Sequence, residues 1–386
     1  MKLYTCVFVL LSTLALINAL DNGLGLTPQM GWNSWNYFAC DINETLIRET
    51  ALAMTKNGMQ DAGYEYVNID DCWAVSRDSN GVIQADPNAF PSGIAALADY
   101  VHSLGLKLGI YTDAGILTCQ KRPGSYGYEA IDAKTYASWG IDYVKEDWCS
   151  TFLDNPVQRY TIMSEALNAT GRPIFFSLCD WGVDNPWNWA PTIGNSWRTT
   201  PDIKDNWNSF ISNLMAQVPI AGASGVGGWN DPDMLEVGNG GMTNTEYVSQ
   251  FSLWSLMSAP LIAGNDLRNV DPDTLAILTN QEVIAINQDP MGKQGTLVRS
   301  TNDGYNQIWA RPLSDGSRAV VLFNSSPNAT NIELLWSDIW VPINTQLSVR
   351  DLWSQSDIGV FSTSYLAENI APHASVMLRL STSSKY

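Results

Sequence analysis

At 386 residues and 45% hydrophobic content, the chain can bury a large core and hold more than one domain. Its formal charge of −18 and pI near 4.3 count against nucleic acid, whose phosphates need basic patches, and against anionic membranes. With only His102 and His373 present, a histidine-based metal site or a histidine-dependent triad is not expected.

The chain starts with Met1-Lys2, the apolar run Val7 to Leu16 and Ile17-Asn18-Ala19, which predicts a secretory signal peptide over 1–19. The run is shorter than the ~20 apolar residues of a spanning helix, and no later segment is long enough. Ser381 to Tyr386 carry neither a retrieval signal nor an anchor tail. The expectation is a soluble protein of the secretory pathway, secreted or lysosomal/vacuolar, with no stable membrane association. Asn43, Asn168, Asn324 and Asn328 are glycan acceptors by triplet. Beyond the leader stand Cys40, Cys72, Cys119, Cys149 and Cys179, an odd count that suggests two disulfides and one free thiol, with the pairing open.

Up to about Gln288, short strand-like runs alternate with helix-like stretches every roughly 20 to 40 residues, the spacing of β-α units. Candidate strands are Gln29 to Asn33, Tyr64 to Asp70, Lys107 to Thr112, Ile141 to Lys145, Ile174 to Leu178, Ser196 to Arg198, Gly227 to Asn230 and Ala259 to Ile262. Eight units predict a closed (β/α)8 TIM barrel over 20–293. Between them, Asn43 or Thr45 starts a helix over Leu46 to Asn57, and Ser92 precedes one over Ile94 to Leu104 that Gly105 closes. From roughly Gly292 the pattern becomes short strands, such as Gln307 to Ala310, Arg318 to Phe323 and Ser375 to Leu380, between turn residues. This predicts a smaller antiparallel β-sandwich domain over 294–386, packed directly on the barrel.

Several strands finish in carboxylates or aromatics: Asp70-Asp71, Tyr111 with Asp113, Lys145 with Asp147, Asp180-Trp181, and Asp231 with Asp233. Barrel active sites lie at those ends, and five acidic ends are too many for helix capping alone. In Tyr143-Val144-Lys145-Glu146-Asp147-Trp148-Cys149, alternation puts Tyr143, Lys145 and Asp147 on one face. A cationic neighbour there is expected to depress the pKa of Asp147 and keep it ionised, as a carboxylate nucleophile requires. Glycosidic cleavage needs such a group and a second, protonated carboxyl. The 16 tryptophans are consistent with sugar-stacking faces, although most large aromatics are core.

Over nearly the whole mature chain the sequence resembles the retaining α-galactosidases and α-N-acetylgalactosaminidases of glycoside hydrolase family 27, the melibiases. The resemblance runs through Leu20-Asp21-Asn22-Gly23-Leu24, Met30-Gly31-Trp32-Asn33-Ser34-Trp35, Asn68-Ile69-Asp70-Asp71-Cys72-Trp73, Leu108-Gly109-Ile110-Tyr111-Thr112-Asp113, Lys145 to Cys149, Ser196-Trp197-Arg198 with Asp202, and Gly228-Trp229-Asn230-Asp231-Pro232-Asp233-Met234. It implies Asp147 as nucleophile and Asp202 as acid/base, Asp147 kept low in pKa by Lys145 and Asp202 kept higher by a less polar setting. Their carboxyls would lie about 5 to 5.5 Å apart. It further implies a galactose pocket of Trp35, Asp70, Asp71, Tyr111, Cys119, Lys145, Cys179, Asp180, Trp181, Arg198 and Asp233, and bridges Cys40 to Cys72 and Cys119 to Cys149, with Cys179 free. No cofactor or metal is implied, the partners are α-galactoside substrates, and a homodimer is compatible with the family. Cys179 and the bulky Trp181 would exclude an acetamido group at C2, which favours α-galactosidase over α-N-acetylgalactosaminidase. A noncatalytic galactose-binding protein on the same fold is the remaining alternative. Two departures from the family pattern stand beside the site: Asp180 where Glu is common, and the bulky Trp148, expected to alter the aglycone side.

Overall fold

The computed structural model describes residues 20–152 and 154–382. The expected leader, 1–19, and the end of the chain, 383–386, lie outside the described residues. All eight expected barrel strands form: β1 Met30–Asn33, β2 Tyr66–Asn68, β3 Lys107–Asp113, β4 Tyr143–Asp147, β5 Phe175–Cys179, β6 Ser196–Arg198, β7 Trp229–Asp231 and β8 Leu261–Ala263. They pair in parallel in the order β8-β1-β2-β3-β4-β5-β6-β7. The ring is closed differently from the other junctions. Leu235, past the end of β7, makes an isolated parallel bridge to Ala263 and donates its N–H to the Ile262 carbonyl at 2.9 Å.

The strands are legible as strands because both faces are covered. Val67, Leu108, Val144 and Leu178 are buried on them, each burial stabilising by about 1.5–3 kcal/mol. Register fixes which residues stand together at the mouth. Tyr111 is opposite Lys145, Asp113 opposite Asp147, and Asp147 opposite Cys179. β4 runs two residues beyond its expected end, so Asp147 is the last residue of a strand rather than part of a loop.

Asn43 caps the helix Glu44–Lys56 by accepting the Leu46 N–H at 2.9 Å, as anticipated. Ser92 precedes Gly93–Ser103 without capping it through its side chain. Helix Asn244–Leu256 opens with a Thr243/Glu246 capping box and is buried along most of its length, because the second domain covers its outer face.

That domain has a six-stranded antiparallel sheet in the order Thr296–Thr301, Asn306–Pro312, Arg318–Asn324, Ser375–Thr382, Leu347–Asp351, Ser356–Phe361. The ribbon of Thr330–Leu335 and Ser364–Ile370 lies against it, enclosing Ile308, Val320, Leu322, Leu334, Leu378 and Leu380. As expected, the domains pack directly. Trp207 stacks on His373 with centroids 3.8 Å apart, and Trp353 Nε1 donates to Ser252 Oγ at 2.9 Å. The buried Arg311 donates to the carbonyls of Leu256 and Ile286 and to Ser258 Oγ.

Of the four glycan acceptors, Asn43, Asn168 and Asn328 are exposed. Asn324 is not an acceptor in this fold. It is buried, and its amide nitrogen donates to the carbonyls of Asn328, Ile370 and Ala371 at 2.8, 3.0 and 2.9 Å. A glycan on that nitrogen would replace one of its two hydrogens and would have no room beside the three carbonyls. Among the described residues no helix is long and apolar enough to cross a membrane.

Candidate active site

The C-terminal ends of β1 to β7 bring the expected polar residues to one mouth. From β1, Asn33 donates Nδ2 to Asp70 Oδ2 at 2.8 Å, and its Oδ1 accepts the Trp35 N–H, which orients the half-buried Trp35 at the rim. After β2, Asp70 Oδ2 also takes Lys145 Nζ at 2.8 Å. Asp71 is braced instead by backbone, accepting N–H groups from Cys72 at 2.7 Å and Gln120 at 2.9 Å. Two disulfides form at this mouth, Cys40–Cys72 and Cys119–Cys149, with the buried Cys179 free. The second ties the loop after β3 to the loop after β4. A 30-residue span closed in this way contributes roughly 3 to 4 kcal/mol in the chain-entropy model.

Asp147 is buried at the end of β4. Its Oδ2 accepts the Tyr111 hydroxyl at 2.8 Å and its Oδ1 the Trp148 N–H at 3.0 Å. Its pKa does not lie where the alternation of Lys145 and Asp147 suggested. Burial pushes it up to about 6, outweighing the charge of Lys145 and the two hydrogen bonds. Lys145 shares the face but forms its ion pair with Asp70.

Asp202 shows the opposite departure. Its side chain is 62% exposed and Oδ1 lies 3.0 Å from Arg198 Nη2. Desolvation works upward on its pKa, yet Arg198, then Lys145, bring it below the usual aspartate value. The cationic setting of Asp202 thus outweighs its desolvation, and the expected order of the two carboxyls is inverted.

The remaining pocket candidates divide by engagement. Arg198, from β6, is buried between Asp202 and Asp233, and Nη1 approaches Cys179 Sγ at 3.6 Å. Asp233 is buried, with both oxygens bonded to protein. Asp180 has one oxygen on the Gly182 N–H at 3.1 Å and the other buried without a protein partner, and burial raises its pKa to about 6. Trp181, half-buried, holds a left-handed φ of 56°, a conformation costly for a bulky residue and concentrated at functional turns. Cys119 reaches the site through its disulfide, where its sulfur lies 3.5 Å from the Tyr111 hydroxyl. The ring of Trp148 stacks back on Tyr160 with centroids 5.4 Å apart.

Three further carboxyls stand at or behind the site: Asp113 and Asp231, expected at the mouth as strand-end acids but given no pocket role, and Glu146, given none at all. Asp113 lies beside Asp147, with ligand-capable oxygens within 4.8 Å, and burial, then the charge of Asp147, raises its pKa to about 8. Its alternation with Tyr111 was the available signal. Asp231 accepts the Asp233 N–H at 2.8 Å, and burial raises it to about 6. Glu146 points away from the mouth, wholly buried with neither oxygen hydrogen-bonded to protein. Asp113 and Asp147 stand near Cys119 and Cys149, but both sulfurs are joined in the disulfide and are not thiolate ligands.

This constellation has counterparts in known proteins. The family model described as alpha galactosidase A matches residues 27–289, and that for the alpha galactosidase C-terminal beta sandwich domain matches 303–380. The chain belongs to the melibiases of glycoside hydrolase family 27. Among melibiase relatives, a probable alpha-galactosidase of Dictyostelium discoideum is 66% identical over 374 residues, 96% of this chain and 97% of that protein. The crystal structure of alpha-galactosidase I from Mortierella vinacea superposes with a TM-score of 0.91 at 41% identity, covering 94% of this chain and all of that one. The melibiase fold is also shared with the Saccharomyces cerevisiae α-galactosidase solved with raffinose, at a TM-score of 0.89 and 32% identity over 94% of this chain and 99% of that one.

Proposed function

We propose that the protein hydrolyses terminal, non-reducing α-D-galactosyl residues by double displacement. The observation that carries this reading is a buried strand-end carboxylate, Asp147, held by Tyr111 in the same mouth as the Arg198-linked Asp202. In the first step an oxygen of Asp147 attacks the anomeric carbon while the glycosidic C–O bond breaks. The leaving oxygen takes the proton of Asp202. In the second, Asp202 removes a proton from water, the water oxygen attacks the anomeric carbon, and the bond to Asp147 breaks. Two inversions give net retention.

The pocket residues have distinct tasks in this reading. Trp35 packs on the sugar. Lys145 and Asp70, already paired at 2.8 Å, form a fixed donor and acceptor set for hydroxyls that distinguish galactose from its epimers. Asp71 serves mainly to brace its loop. Asp180 offers one buried oxygen free of protein bonds to the region of the 2-hydroxyl. Cys179 and Trp181 limit space there, which favours galactose over its 2-acetamido analogue. Galactose filling the mouth would strip solvent from the exposed Asp202 and raise its proton affinity towards that of a working acid.

We also infer a leader over 1–19, a catalytic barrel over 20–293 and a β-domain over 294–386. The destination is secretory, secreted or vacuolar/lysosomal, with glycans on Asn43, Asn168 or Asn328. Two disulfides at the mouth support the oxidising compartment.

The deciding experiment is kcat/KM on paired aryl α-galactoside and aryl α-N-acetylgalactosaminide from acid to neutral pH. A strong galactoside preference is expected. Preference for the acetamido sugar would overturn the role of Cys179 and Trp181, and no turnover of either by folded protein would leave a sugar-binding protein.

A further inference from the structure

The loop bearing Asp202 is fastened to the turn after β7 at several points. Thr199 N–H and Oγ1 donate to the Asp231 carbonyl at 2.9 and 3.0 Å, and Thr200 Oγ1 donates to the Pro232 carbonyl at 3.2 Å. Asn213 Nδ2 donates to the carbonyls of Pro232 and Pro201, at 3.0 and 3.3 Å, and so binds both segments at once. At the centre is Asp233. Its φ of 85° is one that L residues rarely adopt, and the conformation is held by Asp231 Oδ1, which accepts its N–H, and by Trp254 Nε1, which donates to its carbonyl at 2.8 Å.

The turn leaves both oxygens of the Asp233 carboxylate engaged by protein. Oδ1 accepts the Met234 N–H at 2.8 Å. Oδ2 accepts the Ile203 N–H at 2.8 Å, fixing the backbone next to Asp202, and meets Arg198 Nη2 at 2.7 Å. The same nitrogen lies 3.0 Å from Asp202. One guanidinium nitrogen is thus shared by two carboxylates, one side chain 5% exposed and the other 62%.

We propose that Asp233 is a positioning residue for Asp202, acting through Ile203 and the shared Arg198, rather than a ligand of the sugar. The proposal rests on the reading of Asp202 as acid/base. By drawing on the charge of Arg198, Asp233 weakens that residue's grip on Asp202, which must carry a proton to act as acid. The groups facing Asp202 are Arg198, Lys145 and Lys204, all of which favour its anion, and Cys179; those facing Arg198 add Asp231 and Asp233.

The test compares pH profiles of kcat/KM for the wild type, Asp233→Asn and Asp233→Glu on an alkyl α-galactoside, which needs acid assistance, and a dinitrophenyl α-galactoside, which does not. In Asp233→Asn, Asp202 is left as the one carboxylate in direct contact with Arg198 among the described residues. The alkyl-substrate bell is expected to extend to lower pH and lose about tenfold in height for each pH unit by which the proton affinity of Asp202 falls. The dinitrophenyl profile and the inhibition constant of galactose stay close to wild type, and Asp233→Glu recovers part of the loss. Equal losses on both substrates at every pH would reduce Asp233 to a scaffold role, and a large rise in the galactose inhibition constant would make it a sugar ligand; either overturns the proposal. Should Asp233→Asn not fold, Asp231→Asn carries the test: it keeps an oxygen for the Asp233 N–H and removes a charge only above about pH 6, so the selective loss on the alkyl substrate is expected on the alkaline limb alone. Asp202→Asn, measured alongside, separates the two readings. Selective loss there without selective loss in the Asp233 or Asp231 variant sinks this inference alone, whereas unselective loss in Asp202→Asn removes the acid/base assignment itself.

Discussion

Tyr111 and Asp147 are joined by a 2.8 Å hydrogen bond from phenol to carboxylate, and among the described residues no other side chain donates to Asp147. A bond to a charged acceptor is worth about 1.5–3 kcal/mol. Tyr111→Phe should therefore raise the proton affinity of Asp147 by about one to two pH units. With a dinitrophenyl α-galactoside, whose cleavage needs only the nucleophile ionised, the rising limb near pH 6 should move up by that amount. A limb that stays in place would show that the bond does not bear on the nucleophile.

The inverted order of the two carboxyls predicts a substrate-dependent pH profile. The productive form for an alkyl α-galactoside has Asp147 ionised and Asp202 protonated. Asp147 binds its proton up to about 6 and Asp202 below the usual aspartate value, so this form is a minority at every pH. The outcome is a bell whose alkaline limb lies near 6 and whose limbs belong to the pair. For the dinitrophenyl substrate the profile should instead rise through about 6 to a plateau. Bells of identical position for both substrates would contradict the inversion.

Glu146 carries a testable cost in stability. Burial lifts its pKa well above the usual glutamate value, so its folded state favours the proton. The associated stability is fully present below the unfolded pKa, near 4.3, and is lost as pH rises towards the folded value, at up to about 1.4 kcal/mol per unit. Glu146→Gln cannot ionise. Its Tm relative to wild type should climb steadily between pH 4.5 and 7, and Tm curves that stay parallel would refute the account.

Arg311 should show how firmly the domains are joined. It reaches from the β-domain to carbonyls at the ends of two barrel helices, Asn244–Leu256 and Gln281–Asn287, and is buried without a carboxylate partner among the described residues. Arg311→Met removes the guanidinium's bonds to carbonyls that keep backbone partners, Leu256 from the Gly295 N–H and Ile286 from the Asp289 N–H, at about 0.5–1.5 kcal/mol for each bond lost. Tm should fall by several degrees with kcat/KM at 25 °C little changed. An unaltered Tm would mean that the interface is held by its aromatic contacts alone.

The barrel was legible because parallel strands buried on both faces read as apolar runs, and because chemistry stands at their ends. Ser196 to Arg198 matched its strand to the residue, and β4 was displaced by two residues at both ends, starting at Tyr143 rather than Ile141 and running on through Glu146 and Asp147, which look too polar to continue a strand. Proton affinities were not legible in the same way. The Lys145 and Asp147 alternation was real, but desolvation of Asp147 and the diversion of Lys145 to Asp70 depend on the whole mouth. Asn324 misled for a similar reason, since a triplet says nothing of burial, and two of the three bonds that hold its amide go to Ile370 and Ala371, 46 and 47 residues away.

The parallel ring has one junction made of a single bridge, between Leu235 and Ala263, where its neighbours have ladders. Asp231 and Asp233 sit on the stave beside that seam, immediately before Leu235. Thermal opening of the barrel would begin there, and its first symptom would be a slackened proton donor in a protein whose nucleophile, anchored on the opposite wall by two full ladders and a disulfide, still stands in place. Warming short of melting should therefore blunt the hydrolysis of unactivated galactosides before that of activated ones.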